Sequence, residues 1–519
     1  MKRILFTITL SASIVCLALG CSDNDFSAVD RLPENFDTGT VYFNIGESTK
    51  TDLYYKPRVG YVGDPMPFYD SKENDFKILY LQDMRNGNSV IYHPVYELKT
   101  KDAASYHGLG EAIACGGAQE DDPALGTGST VEKDGVYYTF YTGHKTGSPR
   151  EVILKASSTD GKSWKKDRSF RLQAPNGYNQ DEFRDPYCFY DDEARLYRMV
   201  IAAIKDGKSV LAQFTSSDLT IWKETEPFFI NKWGRFYECP DVFKMGNYWY
   251  LIYSDKDITR QVQYFFAPTL TQLMALGNDP AFPWRDEGKL EGTSFYAGKS
   301  ASDGQKRYIW GWCATRQGNV PDGQMDWAGT LVAHKIVQNE DGTLGFSIPE
   351  AVDKKFVTGK DLREVSKSNG VEGNSATGYT IPAGQSVRFG RLNYVNKLSF
   401  TVKTTPGHSV FGLSFVDCND RDYNYRVYVE DRWSNLKFDK VMTDKDGNES
   451  RQNINSFGLQ PAADGVYNIK IVSDHSVCVV YINNQYAFTN RINGMALNPW
   501  SLFCSDGKVI ISDLKWFTY

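Results

Sequence analysis

Five aromatic stretches, each following a turn, carry a tyrosine at a near-constant interval: Tyr80, Tyr138, Tyr197, Tyr250 and Tyr308, spaced by 58, 59, 53 and 58 residues. An internal repeat of this length suits a four-stranded blade, and five blades arranged radially put their innermost strands around one axis. Counting back twelve residues from the last four tyrosines gives Gly126, Asp185, Glu238 and Tyr296. In the first repeat Asp64 lies sixteen back, behind the longer turn Ser71-Lys72-Glu73-Asn74. Three of five equivalent positions are acidic, and the repeat predicts that they converge at the mouth of the axis although no local spacing brings them together.

The expected fold class is all-β, a five-bladed β-propeller followed by a C-terminal β-sandwich. Turn pairs such as Asp134-Gly135, Asp206-Gly207, Gly246-Asn247 and Asp303-Gly304 separate apolar runs in the manner of hairpins. The one helical expectation is a short segment over 268–276. After Ile348-Pro349 the chain becomes charged and weakly periodic, which reads as a connection over 351–374. Beyond it, Leu398-Ser399-Phe400-Thr401-Val402 and Tyr425-Arg426-Val427-Tyr428-Val429 alternate between turns as sandwich strands do. The propeller is assigned to 41–350 and the sandwich to 375–519.

Met1 to Cys21 has the form of a secretory signal, with Lys2 and Arg3 before an apolar run that ends in Ala18-Leu19-Gly20-Cys21. The last residues resemble a bacterial lipobox, which implies a signal over 1–20, lipidation of Cys21 and a polar tether over 21–40. A plain secretory signal is the alternative. Ser22-Asp23-Asn24-Asp25 resembles the acidic export signal of Bacteroidetes surface lipoproteins, so the expected location is the outer membrane, lipid-anchored at the cell surface or facing the periplasm. A net charge of −6 is a poor match for nucleic acid. Nine cysteines without a Cys-x-x-Cys pair argue against a disulfide framework, and six scattered histidines show no ligand spacing. No cofactor or metal is implied, and a monomer is expected.

Each acid has a proline within two residues on its C-terminal side: Asp64-Pro65, Asp185-Pro186 and Glu238-Cys239-Pro240. A proline removes a ladder donor, which suits a strand facing an open channel. Taken singly, each acid reads equally as a turn carboxylate or part of a calcium site. Three in repeat register supply what glycoside hydrolysis needs: one ionised carboxylate, one protonated carboxyl and further negative charge to steady an oxocarbenium-like transition state. Mutual repulsion and burial are expected to raise at least one pKa.

Arg184-Asp185-Pro186 and Glu238-Cys239 resemble the Arg-Asp-Pro and Glu-Cys motifs of glycoside hydrolase family 32, which includes invertases, inulinases and levanases. Gly126-Thr127-Gly128-Ser129, Ser294-Phe295-Tyr296-Ala297, Tyr308-Ile309-Trp310-Gly311-Trp312 and Trp327-Ala328-Gly329 are similar to further family segments in the same order. The stretch from Ile469 to Arg491 resembles a strand pair of the family's appended sandwich. The resemblance implies a saccharide substrate, Asp64 as nucleophile, Glu238 as acid/base and Asp185 as transition-state stabiliser, with retention of configuration. It makes Arg184, Gln82, Tyr296 and Trp327 candidates for substrate binding.

The first motif departs from the family pattern. Tyr61-Val62-Gly63-Asp64-Pro65-Met66-Pro67 stands where Trp-Met-Asn-Asp-Pro-Asn-Gly is usual, so the nucleophile is kept and both neighbouring amides are missing. Two alternatives stay open at this point: an inverting furanosidase of the arabinofuranosidase or xylosidase type, and a surface glycan-binding lipoprotein without catalysis.

Overall fold

The computed structural model describes residues 53–84, 93–231, 234–256, 259–278, 288–415 and 423–519. The signal, Cys21 and the tether lie outside the described residues. The chain is nearly all β. Its first part runs as five four-stranded antiparallel meanders in chain order, opening with Tyr61–Asp70, Ala124–Lys133, Tyr178–Asp191, Tyr237–Met245 and Phe295–Ser302. All five repeat tyrosines lie in the second strand of their meander. The first strands neighbour one another in order, and the fifth returns to the first. A single bridge, Val62 to Gly329, joins the last meander to the first.

The turn chemistry follows the sequence. Asp134-Gly135 and Asp206-Gly207 form two-residue loops with positive φ at both positions (53° and 78°; 48° and 74°), the twist that a tight hairpin requires. The short helix is Leu270–Asn278, and the Thr269 hydroxyl accepts a hydrogen bond from the Gln272 amide at its start.

Every first strand slips against its second strand at one level: between Gly63 and Pro65, Gly126 and Gly128, Arg184 and Tyr187, Glu238 and Asp241, and Tyr296 and Lys299. The extra residues are β-bulges, which bend a strand and re-aim its side chains. Asp185, Cys239 and Ala297 stand in these bulges with φ of 58°, 51° and 54°. Pro186 and Pro240 are the second bulged residues of their strands and have no ladder bond to lose. The ladders also correct the count from the tyrosines. Asp185 is level with Asp64 and Thr127 inside the bulge, whereas Glu238 is one residue ahead, level with Arg184 and Tyr296. A bulge of one or two residues is invisible to counting.

The C-terminal part is two packed sheets, of eight and seven strands, around a core that includes Phe389, Phe411, Val427, Ile471 and Trp500. Residues 351–374 differ from the expected connection. After the helix Glu350–Lys355 they supply the strands Thr358–Lys360, Glu364–Lys367 and Glu372–Asn374 to the sheets' edges. Every residue of those three strands is exposed, so neither face is apolar and no period-two signal exists to be read.

The sandwich is tied to the meanders by buried polar groups. Arg491, 1% exposed, donates to the carbonyls of Cys313 (2.5 Å) and Ala314 (3.0 Å) and to the hydroxyls of Thr330 (3.1 Å) and Ser476 (2.6 Å). Glu291 accepts from the Thr489 amide (2.8 Å) and hydroxyl (2.6 Å), and Asp474 from the amides of Leu53 (2.7 Å) and Tyr54 (3.1 Å). A buried polar group costs little only when it is bonded, so these contacts fix one docking geometry.

Candidate active site

Asp64, Asp185 and Glu238, drawn from three meanders, line one cavity of about 840 Å³ together with Arg184, Tyr296 and Trp327. The volume is in the range of small-molecule sites. Gln82 is not among the described lining residues. Its amide nitrogen bonds the Val59 carbonyl instead, so it braces the chain ahead of the first strand.

Asp64 is held by two donors. The Thr127 hydroxyl gives to Oδ2 (2.7 Å) and the Trp312 indole N–H to Oδ1 (2.9 Å). Burial pushes its pKa above the ordinary carboxylate range, the two donors work against that rise, and the charge of Glu238 adds to it. Both donors favour the ionised carboxylate, the form that can attack a carbon.

Asp185 is 4% exposed. Its amide donates to the Thr142 hydroxyl (2.9 Å) and its Oδ2 accepts from the Cys239 amide (2.9 Å). The Thr142 hydroxyl donates to the Thr127 carbonyl (3.0 Å), so three adjacent meanders are linked behind the acids. Burial raises the Asp185 pKa to about 7; Arg184 opposes the rise, and Glu238 and Asp64 add to it.

Glu238 stands between two donors, Arg184 Nη2 to Oε1 (2.9 Å) and the Tyr296 hydroxyl to Oε2 (2.8 Å). Arg184 lies 4.3 Å over the Phe236 ring and also meets Glu151 (3.2 Å) and Glu182. The guanidinium thus orients a carboxylate. Tyr296 acts in the same way through its hydroxyl. Trp327 lines the cavity with 36% of its surface exposed, edge-on to Trp312 at 6.1 Å between ring centres and 4.5 Å from His93.

Sequence reasoning named the acids, Arg184 and Tyr296 but missed the groups that hold Asp64 and Asp185. Thr142 and Trp312 each fall four residues after a repeat tyrosine and pair with Gly126 and Tyr296, just ahead of the bulges. That offset was the available signal. Among the described residues, no three side chains of metal-binding type are grouped as ligands.

The model for the glycosyl hydrolases family 32 N-terminal domain matches residues 54–345. The chain belongs to this family. A second model, for the C-terminal domain of BT1760-like members of family 32, matches residues 342–516. The Escherichia coli raffinose invertase is 31% identical over 251 residues, covering 45% of this chain and 51% of that protein. The Staphylococcus xylosus sucrose-6-phosphate hydrolase is 23% identical over 344 residues, 64% of this chain and 67% of its own length. The chain therefore spans about half to two thirds of the length of these two relatives. An exo-inulinase from Aspergillus awamori superposes with a TM-score of 0.69 at 17% identity, covering 92% of this chain and 99% of that one. The architecture of this family 32 member is that of a β-propeller joined to a β-sandwich.

Proposed function

We propose that this family 32 protein hydrolyses β-fructofuranosides by double displacement. The observation that carries the reading is the arrangement of three acids in one cavity, with Asp64 accepting from two donors that favour its ionised form and Glu238 held between Arg184 and Tyr296. Asp64 attacks the anomeric carbon of a fructosyl unit while Glu238 protonates the departing oxygen, which leaves a fructosyl ester on Asp64. Glu238, now ionised, takes a proton from water as that water attacks the ester, and the sugar leaves with its configuration retained. Asp185 supplies negative charge as the ring carbon becomes cationic.

The described lining residues include eight carboxylates against four arginines and lysines. Such a field favours a neutral saccharide such as levan, inulin, a fructo-oligosaccharide or sucrose, and disfavours a phosphorylated sugar. The five meanders, with their first strands in mutual contact, support a propeller of five blades, its inner strands presenting the acids. The sequence over 1–25 supports secretion and lipid anchoring at Cys21 on the outer membrane, testable by labelling with radioactive palmitate in wild-type and Cys21→Ala cells.

The deciding experiment is sugar release by the lipid-free protein from levan, inulin, sucrose, sucrose 6-phosphate and arabinan, beside Glu238→Gln. Fructose or fructo-oligosaccharide release that falls about 100-fold or more in the variant is expected, since loss of a general acid costs about 10²–10⁴. Release from arabinan alone, or the same rate in the variant, refutes the assignment.

A further inference from the structure

We propose that Gly63 and Trp327 are a matched pair that sets sugar specificity beside the nucleophile. The indole occupies the side-chain space of the residue before Asp64, so the bound furanosyl ring meets a flat apolar wall there and no side-chain donor from position 63. The inference rests on the fructosidase reading of the cavity and specifies how that cavity recognises its sugar.

Gly63 is not among the positive-φ glycines, so the backbone at this position accepts any L-residue. What excludes a side chain is space. A Cβ built on Gly63 would lie 2.2 Å from Trp327 Cη2, 2.7 Å from Cζ2 and 2.8 Å from Cζ3. These are the outer carbons of a rigid bicyclic ring, which cannot fold away as the tip of a lysine could. The ring is bracketed by Trp312 and His93.

The chain around Trp327 is built to hold it there. Ala328 has φ of 65°, a conformation that re-aims the strand, and a Cβ on the following Gly329 would stand 1.8 Å from the Cys313 carbonyl. Gly329 thereby lets this strand press against the one that carries Trp312, whose indole N–H reaches Asp64. The missing side chain at 63 and the placement of Trp327 are two halves of one packing solution. The partially exposed indole offers a surface on which the C–H side of a sugar ring can lie. Discrimination on this side of the ring then depends on ring shape rather than on a hydrogen bond to a particular hydroxyl.

A double-mutant cycle tests the pair. Wild type, Gly63→Ala, Trp327→Ala and the double variant are compared by kcat/KM on the fructofuranoside the wild type cleaves best. Affinity for the same saccharide is measured by calorimetry in the Glu238→Gln background, and thermal melting checks folding. In the wild-type background Gly63→Ala is expected to lower kcat/KM about ten-fold or more through KM; with Trp327→Ala in place it should cost less than about three-fold, because the atoms it collides with are gone. The same factor in both backgrounds overturns the inference. If Gly63→Ala is insoluble, a soluble double variant with the activity of Trp327→Ala supports the pair, and an insoluble one overturns it. Failure of the wild type to release any fructosyl product is a different result, which removes the fructosidase reading while the melting temperatures of the four proteins still decide the packing: a loss on Gly63→Ala that Trp327→Ala relieves supports the pair, and equal losses in both backgrounds overturn it.

Discussion

Removing one donor from Asp64 should move the acid limb of catalysis, and Thr127→Val does this with little change in shape. The Thr127 hydroxyl is 2.7 Å from Asp64 Oδ2, and the residue is 1% exposed. A hydrogen bond to a charged group contributes about 1.5–3 kcal/mol, which corresponds to about one to two pH units at about 1.4 kcal/mol per unit. The sign follows from which form is bonded. The hydroxyl stabilises the ionised carboxylate, so its loss raises an Asp64 pKa that burial has already raised. Attack requires ionised Asp64, and the low-pH limb of kcat/KM should shift upward by about one to two pH units while activity well above it recovers to within a few-fold of wild type. The assay is initial-rate hydrolysis across pH, with circular dichroism to confirm the fold at each point. A limb that stays within about 0.3 pH units of wild type, or one that moves downward, refutes the assignment of Thr127 as a donor that tunes Asp64.

Asp185→Asn should abolish most activity yet stabilise the protein at neutral pH. The folded pKa of about 7 stands above the ordinary 3.8, so ionisation disfavours the folded state as pH rises through that window. The variant should gain up to about 4 kcal/mol above pH 7 and nothing below pH 4, read by urea denaturation at both pH values; an equal difference at both refutes the cause. Arg491→Met takes the guanidinium donor from two buried carbonyls and should cost about 3 kcal/mol or more, lowering the urea midpoint for the whole described fold in one transition. A sandwich that melts alone while hydrolysis persists would show that Arg491 is not the tie between the two parts.

The sequence made the architecture readable because the repeat is carried by tyrosines in the second strands, four of which, Tyr80, Tyr197, Tyr250 and Tyr308, are buried. The acids were readable for a different reason: any one of them could be a turn carboxylate, but three in repeat register, each closely followed by a proline, point to one site. What the repeat could not reveal was the bulge level, since an extra residue in a strand leaves the tyrosine count nearly unchanged. That is why Glu238 was set level with Asp185. The donors Thr127 and Trp312, and Thr142, which accepts from the Asp185 amide, escaped because ordinary strand residues acquire their roles only through neighbours in another meander. Gln82 was misplaced for a related reason, as its position in the strand is right for a contact but its amide turns to the Val59 carbonyl. The three strands within 351–374 were hidden by full exposure. The missing side chain at Gly63 was visible as a departure, but its cause sits more than 260 residues away at Trp327.

The interrupted ladders have a consequence for how such a site can change over evolutionary time. Each first strand releases a residue or two from sheet pairing at the same level, which makes five equivalent sockets, three of which line the cavity. Asp64, Thr127, Asp185, Cys239 and Ala297 fill them here, two with acids and three without. A substitution in a socket alters charge or shape at the cavity without breaking a strand's register, because the ladder on either side is already complete. New chemistry can therefore be tried one socket at a time, without rebuilding the strands around it.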